Sequence, residues 1–392
     1  MQWLSRVMLK LLIENTLVKV VGMEKEYKIL GNYIRLVDER NRDLAVTKLL
    51  GVSISKKFIP SIANIVGTDL SNYKIVRTGQ FAYGPVTSRN GEKISIAYLD
   101  EEDCIISSSY TVFEVENKEE LDPEYLMLWF SRPEFDRYAR YKSHGSVREI
   151  FDWNELCMVE LPVPDIEKQR NIVKAYKTIT DRIALKQKIN DNLEAQANAI
   201  FSSSAPDFTD LQPIHNFGMV ITGKTPPTSV AEYYGNDIPF IKTPDMHGNV
   251  YITSSECSLS KAGADSQKNK YIPENTVVVA CIGANAGEVA LTSYIAQTNQ
   301  QINAVISKYP CFLYFSIKAH TAELRTLGEG SSTMININKT SFEKYEIPTP
   351  SDNTLQQLEH KLSIVFSTIL HNLQEIDRLN ETKDLLVTQL SH

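Results

Sequence analysis

"NIVKAYKTITDRIALKQKINDNLEAQANAI" (residues 171–200) is the stretch whose reading decides the architecture. Ile172, Tyr176, Ile179, Ile183, Lys186, Asn190, Leu193, Ala197 and Ile200 follow one another by alternating steps of four and three residues. A second stretch, "LEHKLSIVFSTILHNLQEIDRLNETKDLLVTQL" (residues 358–390), takes the same steps through Leu358, Leu362, Val365, Ile369, Asn372, Ile376, Leu379, Lys383 and Leu386, and Leu390 continues them. A seam sustained over about four heptads is the spacing of a coiled coil. A simple amphipathic surface helix shows a shorter and wider stripe. Residues 166–201 hold seven Lys/Arg against four Asp/Glu, whereas residues 351–392 hold three against six. Opposite charge favours pairing the two helices with each other over pairing either with its own copy. Lys186, Asn190, Asn372 and Lys383 interrupt the apolar seam, which costs stability and sets register.

Working outward, each helix follows the same signal. "ELPVPDIEKQ" from Glu160 has a counterpart in "EIPTPSDNTL" from Glu346, and the upstream segments "IFDWNELCMVELP" and "NINKTSFEKYEIP" align at the same offset. "ISSSYTVFEV" aligns with "QTNQQINAVI". The chain therefore reads as a duplication: an N-terminal extension (1–26), a first globular domain (27–160), a helix (161–205), a second globular domain (206–346) and a second helix (347–392). The expected fold class is α/β in the mixed α+β sense. Two mixed globular domains are separated by two long helices in an antiparallel coiled coil, with pseudo-two-fold symmetry. A helix of about 36 residues is roughly 54 Å long, the scale on which two-fold readers of duplex DNA separate half-sites, roughly 34 Å.

Composition bounds the function. With 42% apolar and 23% charged residues, the chain has ordinary globular material for packed cores. Cys104, Cys157, Cys257, Cys281 and Cys311 are scattered with no C-x-x-C pair, which fits a reducing cytoplasm and argues against a zinc site. Val7–Ile13 is too short and too charged at its flanks to span a membrane, and Met23 allows residues 1–22 to be an upstream extension. The net charge of −7 argues against gripping nucleic acid by bulk attraction.

No catalytic set is legible. Thr225-Pro226-Pro227 and Gly283–Gly287 lack the remainder of a methyltransferase motif and read as turn chemistry. No G-x-x-x-x-G-K-[ST] is present, and Asp103 with Glu116 and Lys118 is a poor imitation of a nuclease site. The expectation is a chain without catalytic residues, metal or cofactor.

In the second half, "ITGKTPPTSVAEYYGNDIPFIKTPDM" (221–246), "NQQINAV" (299–305) and "GSSTMININKTSFEKYEIPTP" (330–350) are similar to landmarks of the specificity subunits of type I restriction–modification systems. In the first half, "GQFAYGP", "CIISSSYTVFEV" and "GSVREIFDWNELCMVELPVPDIEKQRNIV" resemble patterns of the same family. The resemblance runs from about Tyr27 to the C-terminus. It implies two target recognition domains on double-stranded DNA. The implied partners are an adenine methyltransferase in two copies and an ATP-dependent restriction subunit, with no membrane. The two domains differ, "YGPVTSRNGEKISIAYL" (83–99) having only a loose match in "ACIGANAGEVALTSY" (280–294), so the target is expected to be asymmetric. Two other readings remain at this stage. One is a coiled-coil interaction protein that does not touch DNA, the other a specificity subunit for a fused methyltransferase–nuclease.

Arg pairs with guanine and Asn or Gln with adenine, whereas phosphate contacts set position. Candidate DNA contacts are therefore Arg77, Ser88, Arg89, Asn90 and Lys93 in the first domain. The locally basic segment 132–148 adds Ser146 and Arg148, which match a family loop position. In the second domain the candidates are Lys224, Thr225, Lys242, Thr243, Ser331 and Ser332. Each competes with the reading of a solvated surface group. Tyr33, Phe81 and Tyr83 read as core, and the acidic runs Asp100–Asp103 and Glu114–Glu120 are expected to face away from DNA.

If the paired helices act as the ruler between half-sites, four residues inserted near Asn190 add about 6 Å of helix, which a coiled coil absorbs as a stutter. Methylome sequencing of a host carrying the insertion should then show the unspecified gap longer by roughly one to two base pairs, with both half-sites unchanged. An active mutant with an unchanged gap would show the helices to be a scaffold only.

Overall fold

The computed structural model describes residues 26–61, 68–88, 90–145, 148–248, 250–328 and 335–390. Two compact units emerge, residues 1–181 with 379–392, and residues 182–378. The extension expected over residues 1–26 lies almost wholly outside the described residues. Among the described residues, no helix is long and apolar enough to cross a membrane.

The first unit is built on an antiparallel sheet of β1 (Ile34–Val37), β2 (Phe81–Tyr83), β3 (Ile96–Tyr98) and β4 (Thr111–Val115), in the order β1-β4-β2-β3. Strand side chains alternate between faces, and here both faces are covered. Phe81, Tyr83, Ile96, Phe113 and Val115 join the core that includes residues of α1 (Pro123–Phe130) and α2 (Pro133–Lys142). The small residues Ala82 and Ala97, with Val112, turn to a second core with Leu50, Val76, Cys104 and Ile106. Phe81 and Tyr83 are fully buried, as their reading as core requires. The Asp122 carboxylate accepts the Glu124 and Tyr125 N–H groups at 2.8 and 3.1 Å, and Pro123 follows it, a combination that starts α1.

The long helix α3 (Ile166–Ser204) leaves this unit after the two-stranded ladder of Tyr27–Ile29 with Glu160–Pro162. Its buried Gln169 accepts the Asp122 N–H at 2.8 Å and donates to the carbonyls of Glu120 and Pro164, tying its first turn to the start of α1.

The second unit repeats the plan. Asp210–Pro213 pairs with Glu346–Thr349 as Tyr27–Ile29 pairs with Glu160–Pro162. Its sheet contains β5 (Gly218–Thr222), β6 (Tyr251–Ile252), β7 (Val277–Ala280), β8 (Val289–Thr292) and β9 (Ile302–Ser307), in the order β5-β9-β7-β8-β6. Val277, Val279, Leu291 and Val305 face the aromatic core of α4 (Pro310–Ala319). Val278, Ala280, Ala290 and Ala304 face a separate core with Ile241 and Met246. Large residues toward the helix and small ones away is the same arrangement as in the first unit. α5 (Thr321–Thr326) follows α4, and α6 (Asp352–Thr388) closes the chain.

Contacts along α3 and α6 run in opposite order, so the pair is antiparallel. Within the second unit, Arg182 Nε donates to Glu375 at 2.6 Å and Lys186 Nζ to Asn372 Oδ1 at 2.9 Å, while Asn372 Nδ2 donates to Asn190 Oδ1 at 2.8 Å. Further along α3, Ala197 and Phe201 share a core with Leu355, Leu358 and Leu362. Within the first unit, Leu390 belongs to the same core as Ile172 and Val173. Burial would push the Glu375 carboxyl up, but the hydrogen bonds and charges of Lys186 and Arg182 outweigh it and hold it below its ordinary value.

Glu359 on α6 is buried, and its two oxygens accept the Cys311 and Phe312 N–H groups at 3.1 and 2.8 Å, capping α4 from outside. Burial pushes its carboxyl up despite those donors. The native state therefore holds this proton more tightly than the unfolded chain. The residue's contribution is largest below the unfolded pKa and is lost as pH rises through the native one. Urea unfolding at several pH values should show this slope flattened in Glu359→Gln, and Glu359→Ala should cost about 2 kcal/mol through two unpaired N–H groups.

Candidate nucleic-acid interface

In the first unit, residues 84–95 connect β2 to β3 and do not float free. Val86 bridges Ile150, Thr87 N–H donates to the Glu149 carbonyl at 3.0 Å, and Phe151 N–H donates to the Pro85 carbonyl at 2.8 Å. The Thr87 hydroxyl lies 2.9 Å from that of Ser143. Two segments remote in sequence, 84–93 and 143–151, are thus zipped into one rim. Ser88 and Arg148 stand two residues beyond the Val86–Ile150 bridge on either side, both exposed. Asn90 is half-buried, its N–H donating to the Thr87 carbonyl at 2.9 Å, and Lys93 is exposed. Arg89 and Ser146 lie outside the described residues.

A buried ion pair anchors the rim. Lys56 Nζ contacts Asp136 Oδ1 at 2.5 Å and the Ile94 carbonyl at 2.9 Å, and the same carboxylate oxygen accepts the Ile94 N–H at 3.0 Å. The two side chains are 10% and 11% exposed. Burial pushes the Lys56 ammonium below its ordinary value, with Asp136 opposing the shift.

The basic segment 132–148 does not present its charge as its composition suggests. Arg132 is buried against the Trp129 ring at 3.8 Å, Arg137 is paired with Glu134 at 2.9 Å, and Arg140 is paired with Glu149. Arg148 has no ion-pair partner among the described residues. Arg77 is held apart from the rim. It precedes the start of β2, whereas residues 84–95 leave its end, and its guanidinium donates to Glu39 at 3.1 Å and Asp103 at 2.7 Å.

In the second unit the candidates gather at one end of the sheet. The ends of β5 and β7 and the starts of β8 and β9 share this end, because Thr222 pairs with Asn303, Ala280 with Ile302, and Val279 with Val289. A Cβ on Gly223 would collide with the Asn299 carbonyl and the Thr298 hydroxyl, so only glycine lets this strand end lie flat on the neighbouring turn. Lys224 N–H then donates to the Thr298 carbonyl at 2.9 Å, and the Thr225 hydroxyl to Gln300 Oε1 at 2.6 Å. Asn299 N–H donates to the Ile241 carbonyl at 3.1 Å, which draws Lys242 and Thr243 to the same turn. Lys224 is exposed. Lys242 is half-buried, its Nζ lying 2.8 Å from Cys257 Sγ, a contact that raises its pKa. Ser331 and Ser332 lie outside the described residues.

Two groups escaped the sequence reading. Gln300, exposed at the turn tip, was signalled only by the run of three amides Asn299-Gln300-Gln301. Residues 281–288, the β7–β8 connection, occupy the place that 84–95 holds in the first unit. There Ile282 bridges Asn336, as Val86 bridges Ile150. The loose match of residues 280–294 to 83–99 points to this correspondence, but by sequence the glycines at 283 and 287 read as turn chemistry and no residue of the stretch as a contact.

The family model of the type I restriction modification DNA specificity domain matches residues 55–195 and 212–381. The type I restriction enzyme HindI specificity subunit of Haemophilus influenzae is 28% identical over 454 residues, covering 93% of this chain and 98% of that protein. The MjaIX specificity subunit of Methanocaldococcus jannaschii is 28% identical over 182 residues, covering 45% of this chain and 42% of the relative. Among solved structures, a type I restriction–modification S subunit from M. genitalium superimposes with a TM-score of 0.61 at 12% identity, over 94% of this chain and 96% of that one. At that identity the likeness shows the fold.

Removing one member of a buried ion pair leaves the other charge uncompensated, at a cost of about 3–5 kcal/mol. Asp136→Ala should therefore lower the first unfolding transition in a denaturant titration by roughly that amount. A shift below about 1 kcal/mol, the range of exposed pairs, would show that the rim does not depend on it.

Proposed function

We propose that this chain, which belongs to the family of type I restriction–modification DNA specificity subunits, selects an asymmetric two-part DNA target, each unit reading one part. Modification and cleavage are carried out by the subunits that assemble on it, an adenine methyltransferase in two copies and an ATP-dependent restriction subunit. The observation that carries this reading is one scaffold with two chemistries. Both units share a four-strand order, to which the second adds one edge strand, and a bridged connection. Yet at the end of the sheet where that connection lies one unit presents Ser88, Asn90, Lys93 and Arg148 while the other presents Lys224, Thr225 and Gln300. Like scaffolds with unlike side chains at the same end of the sheet suit two readers of unlike sequences. The family supplies the recognition component of its complexes.

The acidic residues of the first unit favour the same orientation. Glu101, Glu102 and Asp103 follow β3 where it pairs with the start of β2, and they engage Lys48 and Arg77. Glu114 engages Arg35 and Gln80. The rim of Ser88 and Arg148 leaves the other end of β2. DNA is then met by the loop end, and the acidic end is left for partners.

Replacing residues 211–346 by the corresponding domain of another family member should change one half-site in the methylome and leave the other intact. A change in both would overturn the two-reader arrangement. Within the native chain, Arg148→Ala should relax or weaken one half-site and Lys224→Ala the other.

A further inference from the structure

We infer that Asn285 is a base-reading residue of the second unit, specific for adenine, with His247 and Glu288 as its positioning residues; this rests on the reading that each unit contacts DNA through the loop end of its sheet. Asn285 lies in the β7–β8 connection, the counterpart of the first unit's 84–95 rim. The connection is rigidly held. Arg325 Nη1 on α5 donates to the carbonyls on both sides of Asn285, Ala284 at 2.8 Å and Ala286 at 3.2 Å. Gly287, with φ +90°, packs so closely on α5 that a Cβ there would meet Thr321 Cγ2 at 2.5 Å.

The side chain is held as well as the backbone. His247 Nδ1 lies 3.2 Å from Glu288 Oε1, and His247 Nε2 lies 3.1 Å from Asn285 Nδ2. A carboxylate can only accept, so in the neutral imidazole it takes the Nδ1–H and leaves the Nε2 lone pair to accept an N–H of Asn285. That fixes the orientation of the amide. One N–H and the carbonyl oxygen remain for a further partner, a single donor beside a single acceptor. In the major groove adenine offers N7 as acceptor beside N6–H as donor, which matches, whereas guanine offers two acceptors at N7 and O6 and leaves the amide oxygen opposed by a lone pair. Asn285 is half-buried, so part of the residue remains accessible. A preorganised amide gives up less rotamer freedom on binding than a free one.

The test uses the full chain assembled with a type I methyltransferase subunit and a randomised duplex library from which bound DNA is sequenced. The wild type should select a two-part site with an adenine in the half-site of the second unit, and Asn285→Ala should lose preference at that position alone. His247→Phe, which cannot accept from the amide, should weaken the preference without abolishing it. Replacing that adenine by 7-deazaadenine should weaken wild-type binding about tenfold and leave Asn285→Ala unaffected. This second arm needs no variant to fold, because the wild type itself is challenged. A wild type that selects a two-part site while Asn285→Ala retains every preference, or loses one for a base other than adenine, overturns the inference and leaves the function standing. A wild type that selects no sequence overturns both.

Discussion

The antiparallel seam between α3 and α6 is the constraint on which both units depend. Two helices of 39 and 37 residues, each with an apolar stripe, cannot leave that stripe in water. Every buried Leu or Ile along it is worth roughly 1.5–3 kcal/mol, and that gain is insensitive to register because one heptad resembles the next. The polar rung removes this ambiguity. Lys186, Asn190, Asn372 and Glu375 satisfy one another only in this alignment. Sliding one helix by a heptad would bury amides and an ammonium opposite Leu or Val, each unpaired group costing about 1–3 kcal/mol. The rung is not perfect, since Asn190 Nδ2 is buried without a partner among the described residues. Specificity of alignment is thus obtained at some cost in stability.

The same helices organise the globular parts through their ends. Gln169 on α3 and Glu359 on α6 each reach across to the N–H groups at the start of a short helix, α1 in one unit and α4 in the other. In α4 the long-helix side chain supplies the acceptor that the short helix lacks within itself, whereas α1 is capped by its own Asp122 and Gln169 holds that cap residue. Within each unit the short helix packs on the large-residue face of its own sheet, so the contact with the long helix also helps to place that sheet.

At the loop ends the two units hold corresponding connections by different means. The first unit holds residues 84–95 with the buried Lys56–Asp136 pair at Ile94, and the second holds residues 281–288 with Arg325 on two carbonyls. Both also lean on a bridged return segment. The scaffold tolerates this exchange because each anchor sits outside the strands and touches only backbone groups of the connection. A net charge of −7 is compatible with this arrangement, since in the first unit Asp103, Glu101, Glu102 and Glu114 are neutralised by basic partners away from the rim.

By itself the sequence determined the period of the two helices, their antiparallel pairing and the duplication. Heptad spacing and repeated P-x-P landmarks are local patterns, readable wherever the chain happens to lie. It also marked Phe81 and Tyr83 as core and Lys224, Thr225 and Arg148 as site candidates, because residue type and turn context carry that information. Only the tertiary structure decided which candidates meet. It separated Arg77 from the rim and consumed Arg132, Arg137 and Arg140 in internal contacts, while zipping 84–93 to 143–151 and drawing Lys242 to the turn that Lys224 and Thr225 contact. It also supplied Gln300 and the His247–Asn285 contact, which no local pattern announces. The physical reason is that a charged or amide side chain is committed by its nearest partner in space. That partner is contributed by whichever distant strand or helix the core packing brings alongside.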